Sequence, residues 1–158
     1  MKDNWVKNLA RSRFQNNGWV NTNPDKVQKE SKSLLLQSID EIYERCIQAA
    51  TIYNENALLT DTIKVMQIRP SAKATGGGIS LLLGNCVEKV VLHEQTLYVN
   101  MEIVKNFESN TIQRYDLSPR MDQLGEVYWA SKKLGNLSFE QIVRLLFEDL
   151  CKASQFYN

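Results

Sequence analysis

SLLLQSIDEIYERCIQAATIYN, residues 33–54, is the stretch that decides the fold. Its apolar residues recur at alternating steps of four and three, the spacing of one face of an α-helix: Leu35, Ile39, Ile42, Cys46, Ala49 and Tyr53. A second apolar row lies beside the first and consists of Leu36, Tyr43, Ile47 and Ala50. At about 100° per residue the two rows make a face roughly 160° wide, which is broader than a coiled-coil seam. This width predicts a helix laid across a β-sheet.

Strand-like segments follow this helix. Beyond residue 56 the hydrophobic period changes from about 3.6 residues to about 2, the period of a β-strand. Six segments are predicted to be strands: residues 62–68, 79–83, 86–92, 97–103, 111–117 and 125–130. Gly84-Asn85 fits a two-residue turn that requires positive φ angles, and Ser118-Pro119-Arg120 is predicted to form the last turn. The short links predict an antiparallel meander of five or six strands.

A second helix is predicted to begin just after Ser138. Ser138 is a favourable N-cap and Gln141 follows three residues later, so the two make a capping box, while Leu137 and Ile142 make a hydrophobic staple. The predicted strands lie between two apolar helices in the sequence. This arrangement predicts a two-layer α+β fold in which the long N-terminal helix and the C-terminal helix pack on one sheet face and the other face stays partly open.

The chain is predicted to have an N-terminal amphipathic arm, residues 1–22, and a single domain, residues 23–158, because 158 residues are enough for one hydrophobic core. The arm carries aromatic and cationic candidates for contact with a partner: Trp5, Arg11, Arg13, Phe14 and Trp19. We expect its aromatic side chains to be buried against the domain or a partner subunit rather than stacked on bases. Because residues 26–33 are polar throughout, residues 23–54 form either one helix or two.

Composition limits the classes of function. The chain has 43% hydrophobic and 23% charged residues, as an ordinary globular protein has. A net charge of +1 argues against nucleic acid as the main partner. Three cysteines on three different predicted elements favour reduced thiols over a disulfide framework. The sequence has no signal-like start and no run of about 18 apolar residues, so we expect a cytoplasmic protein without a membrane segment.

Catalytic and metal-binding patterns are missing from the sequence. His93 is the single histidine, so a Ser-His-Asp or Cys-His grouping would have to use it, and it stands beside Glu94 in a predicted turn. The cysteines lack the close spacing of a zinc site. The acidic residues of the strand region are expected on a solvated sheet face: Glu88, Glu94, Glu102, Asp116, Asp122 and Glu126. We therefore predict no catalytic residue, no metal and no cofactor.

Residues 69–78, RPSAKATGGG, form the loop with a candidate binding function. Successive glycines allow backbone N–H groups to converge on an anion, and nearby cations add charge. The candidate contacts for an anion or a partner are Arg69, Lys73, Gly76, Gly77 and Gly78. However, the loop has neither a Gly-Lys-Ser/Thr ending nor a GxGxxG pattern, and a strand follows it rather than a helix. A plain flexible connector is the alternative interpretation.

Two functional hypotheses result. The first is a non-enzymatic cytoplasmic interaction module, adaptor-like or chaperone-like, that binds a protein partner or itself through the arm or the open sheet face. The second is a small-molecule-binding protein or enzyme with a pocket between the helices and the sheet. Residues that could line such a pocket are Tyr43, Tyr53, Arg114, Tyr115 and Trp129. A cavity of about 300 Å³ or more would favour the second hypothesis.

Overall fold

The computed structural model describes the backbone of residues 24–57 and 61–157 and the side chains of residues 34–57 and 61–157. The arm predicted at residues 1–22, with its candidate contacts, lies outside the described residues. Two helices and seven strands follow in chain order: α1 Pro24–Asn56, β1 Lys64–Ile68, β2 Gly78–Leu83, β3 Cys86–His93, β4 Thr96–Lys105, β5 Glu108–Met121, β6 Val127–Ser131, β7 Gly135–Leu137 and α2 Phe139–Tyr157.

The strands form one antiparallel sheet in which each strand pairs with its neighbours in the chain. This confirms the predicted α+β fold with an antiparallel sheet, an N-terminal helix and a C-terminal helix. The predicted strand number of five or six was wrong, because the sheet has seven strands. The unpredicted strand is β7, which is 3 residues long and pairs with β6. Three residues are too few for an alternating pattern to be recognised in a sequence.

Strand β5 contains the residues that were predicted to turn. Ser118-Pro119-Arg120 lies inside β5 and pairs with β6. The pairing of β4 with β5 ends at Leu117, so β5 has a single neighbour at Pro119, where the missing backbone N–H is tolerated. The chain turns a few residues later, where the N–H of Gly125 donates to the carbonyl of Asp122 at 3.1 Å. The predicted position of this turn was therefore wrong.

Helix α1 is continuous over its 33 residues, so residues 24–56 form one helix rather than two. Pro24 is its first residue, a position where the missing N–H of proline costs no intrahelical hydrogen bond. Asn54 joins the other end of the helix to the sheet. Its Nδ2 donates to the carbonyl of Ile63 at 3.0 Å, and the N–H of Ile63 donates back to its Oδ1 at 2.8 Å. These two hydrogen bonds align the end of α1 with the start of β1.

Helix α2 begins as its capping box predicts. The N–H of Gln141 donates to Ser138 Oγ at 3.2 Å, and the N–H of Ser138 donates to Gln141 Oε1 at 2.8 Å. Two backbone donors that the first turn leaves without intrahelical partners are thereby satisfied. The apolar face of α2 lies in the core, where Ile142, Leu146 and Leu150 are 0% exposed.

The core lies between the two helices and one face of the sheet. Ile42 and Cys46 of α1 are fully buried, whereas Leu36 is 47% exposed, so the second apolar row of this helix enters the core only in part. Burial alternates residue by residue along β3 and most of β4. Every second side chain therefore lies on the other side of the sheet, which we call the open face.

Candidate functional site

Two rows of side chains cross the open face. The polar row consists of residues directly opposite one another on β2, β3, β4 and β5: Ser80, Lys89, Asn100 and Arg114. The apolar row lies one step further along the strands and consists of Ile68, Val91 and Tyr98, with Gly78 between Ile68 and Val91. Because alternate residues of a strand share a face, the two rows are about 7 Å apart.

The loop between β1 and β2 turns these rows into the floor of a groove, which we call the open-face groove. Its volume is about 770 Å³. Ala72, Lys73 and Ala74 line it from the loop, and the side chains of both rows line it from the sheet together with His93. Ligand sites commonly measure about 300 to 1,000 Å³, so the groove is large enough for a small molecule.

Three glycines close the loop tightly onto the sheet. The N–H of Gly76 donates to the carbonyl of Leu92 at 2.8 Å, and the N–H of Gly77 donates to the carbonyl of Ala74 at 2.9 Å. At Gly77, φ is +73° and a Cβ would lie 2.7 Å from a backbone oxygen, while at Gly78 a Cβ would lie 2.2 Å from one. The glycines thus allow close backbone approach, and the N–H groups of Gly76 and Gly77 already have acceptors.

Of the two cations predicted as candidates in this loop, Lys73 lines the groove and Arg69 does not. An anion in the groove would therefore be contacted by Lys73 rather than by the N–H groups of Gly76 and Gly77. Gly78 belongs to β2 and pairs with Ile68 and Val91. The loop is consequently a hydrogen-bonded wall of the groove.

The charged side chains that line the groove are cations. Lys73, Lys89 and Arg114 line it, and none of the described lining residues is acidic. Carboxylates lie beside it: Glu102 is 3.0 Å from Lys89 Nζ and Asp116 is 3.6 Å from Arg114 Nε. Lys73 forms no ion pair within the described part of the chain. A concave surface lined by one sign of charge concentrates the field and attracts ligands of the opposite sign.

Two buried polar atoms in the groove have no partner. His93 Nδ1 and Asn100 Oδ1 are both shielded from solvent without a hydrogen bond to any described residue. The other ring nitrogen of His93 lies 3.9 Å from the exposed carboxylate of Glu94, which is too far for a hydrogen bond. Buried polar atoms in native proteins usually have a partner, and of the four unpaired ones in the described part of the chain, two belong to residues that line this groove.

A second cleft is lined by several charged side chains. It has a volume of about 760 Å³ and lies between α1, the β5–β6 turn and the start of α2. Its lining includes Glu41, Asp122 and Arg45, but Arg45 Nε already pairs with Glu41 at 2.8 Å and Asp122 Oδ1 accepts two backbone N–H groups. Arg45 and Asp122 of this cleft therefore already have partners within the protein.

The space between the helices and the sheet, where a pocket was hypothesised, is occupied by side chains of the core. Tyr115 is 7% exposed and Trp129 is 0% exposed, while Tyr43 and Tyr53 pack against the core from α1. Arg114 lies on the open face, away from those residues. A cleft between α1 and β5–β6 measures about 210 Å³, below the usual lower size for a ligand site of about 300 Å³.

Glu88 is the acidic residue whose predicted position on a solvated face was wrong. It is 1% exposed and lies on the core side of β3, in the same alternating set as Cys86, Val90 and Leu92. Burial, and then repulsion from Asp149, raises the pKa of Glu88 well above its ordinary value. The alternation of Glu88 with these apolar residues, at even spacings along the strand, was the sequence signal for its burial.

Tyr115 and Asp149 lie near this buried acid. Tyr115 Oη donates to Asp149 Oδ2 at 3.2 Å and accepts a hydrogen bond from Gln113. Burial, followed by the effect of Asp149, raises the pKa of Tyr115 to about 12. Burial raises the pKa of Asp149 as well. The described residues hold no group of three His, Cys, Asp or Glu side chains that could bind a metal ion.

No protein-family model, curated protein or solved structure matches this chain. Neither helix, over the described residues, is long and apolar enough to cross a membrane. The open-face groove is therefore the feature from which we infer a function.

Proposed function

We propose that this chain is a non-enzymatic binding protein that holds an anionic ligand in the open-face groove. One observation carries the proposal: three cationic side chains line a groove in which no described lining residue is acidic and two buried polar atoms have no partner. A bound anion would be neutralised by the cations through charge-assisted hydrogen bonds.

The chemical groups present favour binding over catalysis. General acid–base catalysis requires a positioned acid or base within reach of the reacting atom. The groove offers three cations, an amide and His93, which suit the recognition of an anion better than bond breaking. We place the protein in the cytoplasm, which is supported by the free thiols of Cys46, Cys86 and Cys151.

Calorimetric titration of the full chain with inorganic pyrophosphate tests the proposal. Lys73→Gln and Arg114→Gln should each weaken binding by about tenfold, equivalent to about 1.4 kcal/mol, without lowering the melting temperature. Lys105→Gln is the matched control, because Lys105 is exposed at the end of β4 and does not line the groove. The absence of pyrophosphate binding, or equal affinity in all four proteins, would contradict the proposal.

A second candidate function is protein interaction through the tip of the β4–β5 hairpin. Phe107 is fully exposed and has a φ of +66°, and its neighbour Asn106 also has a positive φ. A bulky side chain rarely adopts this conformation, which costs roughly 1 to 3 kcal/mol unless something compensates. Val104, near the same turn, adds exposed apolar surface at 39% exposure. A residue that is both strained and solvent-exposed favours an interaction role, with a second copy of the chain as the partner.

Sedimentation over a range of protein concentrations tests this second candidate. Phe107→Gly should reduce self-association while raising the melting temperature, because glycine adopts positive φ without strain. Phe156→Ala is a suitable control, since Phe156 is also exposed, at 82%, but lies on α2. A wild-type protein that stays monomeric, or a Phe107→Gly variant that associates as the wild type does, would argue against this role.

A further inference from the structure

We infer that the ligand of the open-face groove is a nucleoside phosphate, with its base on the apolar row and its phosphate on the polar row. The inference rests on the proposed function and adds the chemistry of the ligand. It is carried by the two adjacent rows, one apolar and one cationic, and by the unpaired atoms that flank the apolar row.

The apolar row offers a flat surface for a ring. Val91 and Tyr98 are directly opposite each other on β3 and β4 and are both half-buried. Gly78, between Val91 and Ile68, is itself buried, so the part of the apolar row that lines the groove is Ile68, Val91 and Tyr98. Aromatic rings stack on such surfaces with little dependence on base identity. The small side chains of Ala72 and Ala74 border the groove from the loop.

The polar row positions the anionic group. Lys89 and Arg114 lie on β3 and β5, with Asn100 between them on β4, and Lys73 reaches the groove from the loop. The guanidinium carbon of Arg114 is 5.1 Å from the ring centroid of Tyr98. This cation–π contact holds the guanidinium at the junction of the two rows while its N–H groups can still donate to a phosphate.

The unpaired atoms distinguish a nucleoside phosphate from a simple aromatic anion. Asn100 lies in the polar row on one side of Tyr98, whereas His93 lies two residues beyond Val91 on the other side. Asn100 Oδ1 accepts hydrogen bonds only, so its partner must carry an N–H or O–H donor. A phosphate dianion has no such donor, but the amino groups of bases and the hydroxyls of ribose do. The separation of the two rows, about 7 Å, also suits a ring and a phosphate joined by a sugar.

Calorimetry on the full chain with four probes tests the inference: AMP, adenosine, inorganic phosphate and phenyl phosphate. AMP should bind at least about tenfold more tightly than each of the other three. Tyr98→Leu should weaken AMP binding by about tenfold and leave the affinity for inorganic phosphate unchanged. Tyr157→Leu serves as its control, because Tyr157 lies at the end of α2. Arg114→Gln should weaken the binding of both AMP and inorganic phosphate. Because the Arg114 side chain is exposed, this variant keeps the test decisive if Tyr98→Leu does not fold.

The possible results separate the inference from the proposed function. If phosphate binds and Arg114→Gln weakens it, but AMP binds no more tightly than phosphate, the nucleoside assignment is overturned and the anion-binding function stands. Equal affinity for AMP and phenyl phosphate likewise overturns the nucleoside assignment in favour of any aromatic anion. If no probe and no pyrophosphate binds, both proposals fail. AMP binding that neither Tyr98→Leu nor Arg114→Gln weakens lies outside the groove and also overturns the inference.

Discussion

Replacing Glu88 with Gln should raise the stability of the protein at neutral pH and reduce its dependence on pH. Glu88 is 1% exposed, and its Oε2 has no hydrogen-bond partner among the described residues. Burial first, and then repulsion from Asp149, raises its pKa well above the ordinary 4.5. The folded protein therefore keeps a proton on this carboxyl group at pH values where the unfolded chain has released it.

The effect of pH on the free energy of unfolding follows from this difference in the pKa of Glu88 between the folded and unfolded states. Below about pH 4.5 Glu88 is protonated in both states and its contribution to stability is fully present. As the pH rises towards the folded-state pKa, the unfolded state is favoured and the free energy of unfolding falls by about 1.4 kcal/mol per pH unit. Gln has nearly the same shape as Glu and stays neutral, so the free energy of unfolding of the variant does not fall in this way as the pH rises. Some pH dependence remains, because burial also raises the pKa of Asp149.

Other groups near Glu88 do not obscure the result. Burial, and then Glu88 itself, raises the pKa of Cys46 to about 12, and the pKa of Tyr115 is also about 12. Neither group therefore titrates in the pH window of the experiment. The main electrostatic neighbour of Glu88 is Asp149, which is present in both the wild type and the Glu88→Gln variant.

Urea unfolding of the full chain, repeated from about pH 4.5 to about pH 7.5, measures the effect. The stability difference between Glu88→Gln and the wild type should widen steadily as the pH rises. Glu44→Gln is the matched control, since Glu44 is exposed on α1 and its variant should follow the wild-type curve. Parallel curves for Glu88→Gln and the wild type would refute the assignment of Glu88 as a neutral, buried acid.

Four further predictions concern stability and can be measured by denaturant unfolding. Ile42→Ala should cost about 2 to 5 kcal/mol because it leaves a cavity at a fully buried site, whereas Glu44→Ala should stay within about 0.5 kcal/mol; equal effects would mean that the buried face of α1 is misassigned. Ser138→Ala should cost about 1 kcal/mol through loss of the N-cap, and no loss would show that the cap contributes nothing. Gly77→Ala should cost about 1 to 3 kcal/mol, because alanine at φ +73° is strained and its Cβ would lie 2.7 Å from a carbonyl oxygen; an unchanged midpoint would show that the loop relaxes freely. Deletion of residues 1–22 should lower the melting temperature or dissociate an oligomer. The prediction fails if the melting temperature and the mass in solution both stay as in the full chain.

Local patterns in the sequence determined the elements that depend on near neighbours in the chain. The spacing of Ile39, Ile42 and Cys46 predicts one face of α1, and all three are buried. Ser138 and Gln141 predict the start of α2, where their two hydrogen bonds form. In both cases the interaction spans three or four residues, so the sequence contains all the information that the geometry needs.

The limits of β5 and the existence of β7 were decided by pairing partners distant in the chain. Pro119 resembles a turn residue in isolation, but it lies in β5 because Trp129 of β6 pairs with it. Strand β7 exists because Leu137 pairs with the same Trp129 on its other side. Strand pairing is a property of two segments, so a single segment of sequence does not define it.

The candidate site shows the same division between features that follow from local sequence and features that follow from strand pairing. Lys73 could be selected from the sequence because it stands in a glycine-rich loop. Lys89 and Asn100 could not, and Arg114 was a candidate only for a pocket between the helices and the sheet. The three residues are separated by 11 and 14 residues in the chain and become neighbours only through the register of three antiparallel strands. Alternation within each strand indicates which face a side chain takes, but only the tertiary register decides which side chains on that face meet. The sequence by itself therefore determined the apolar faces of the helices, the alternation along the strands and the loop, while the charge and shape of the groove arose from long-range pairing.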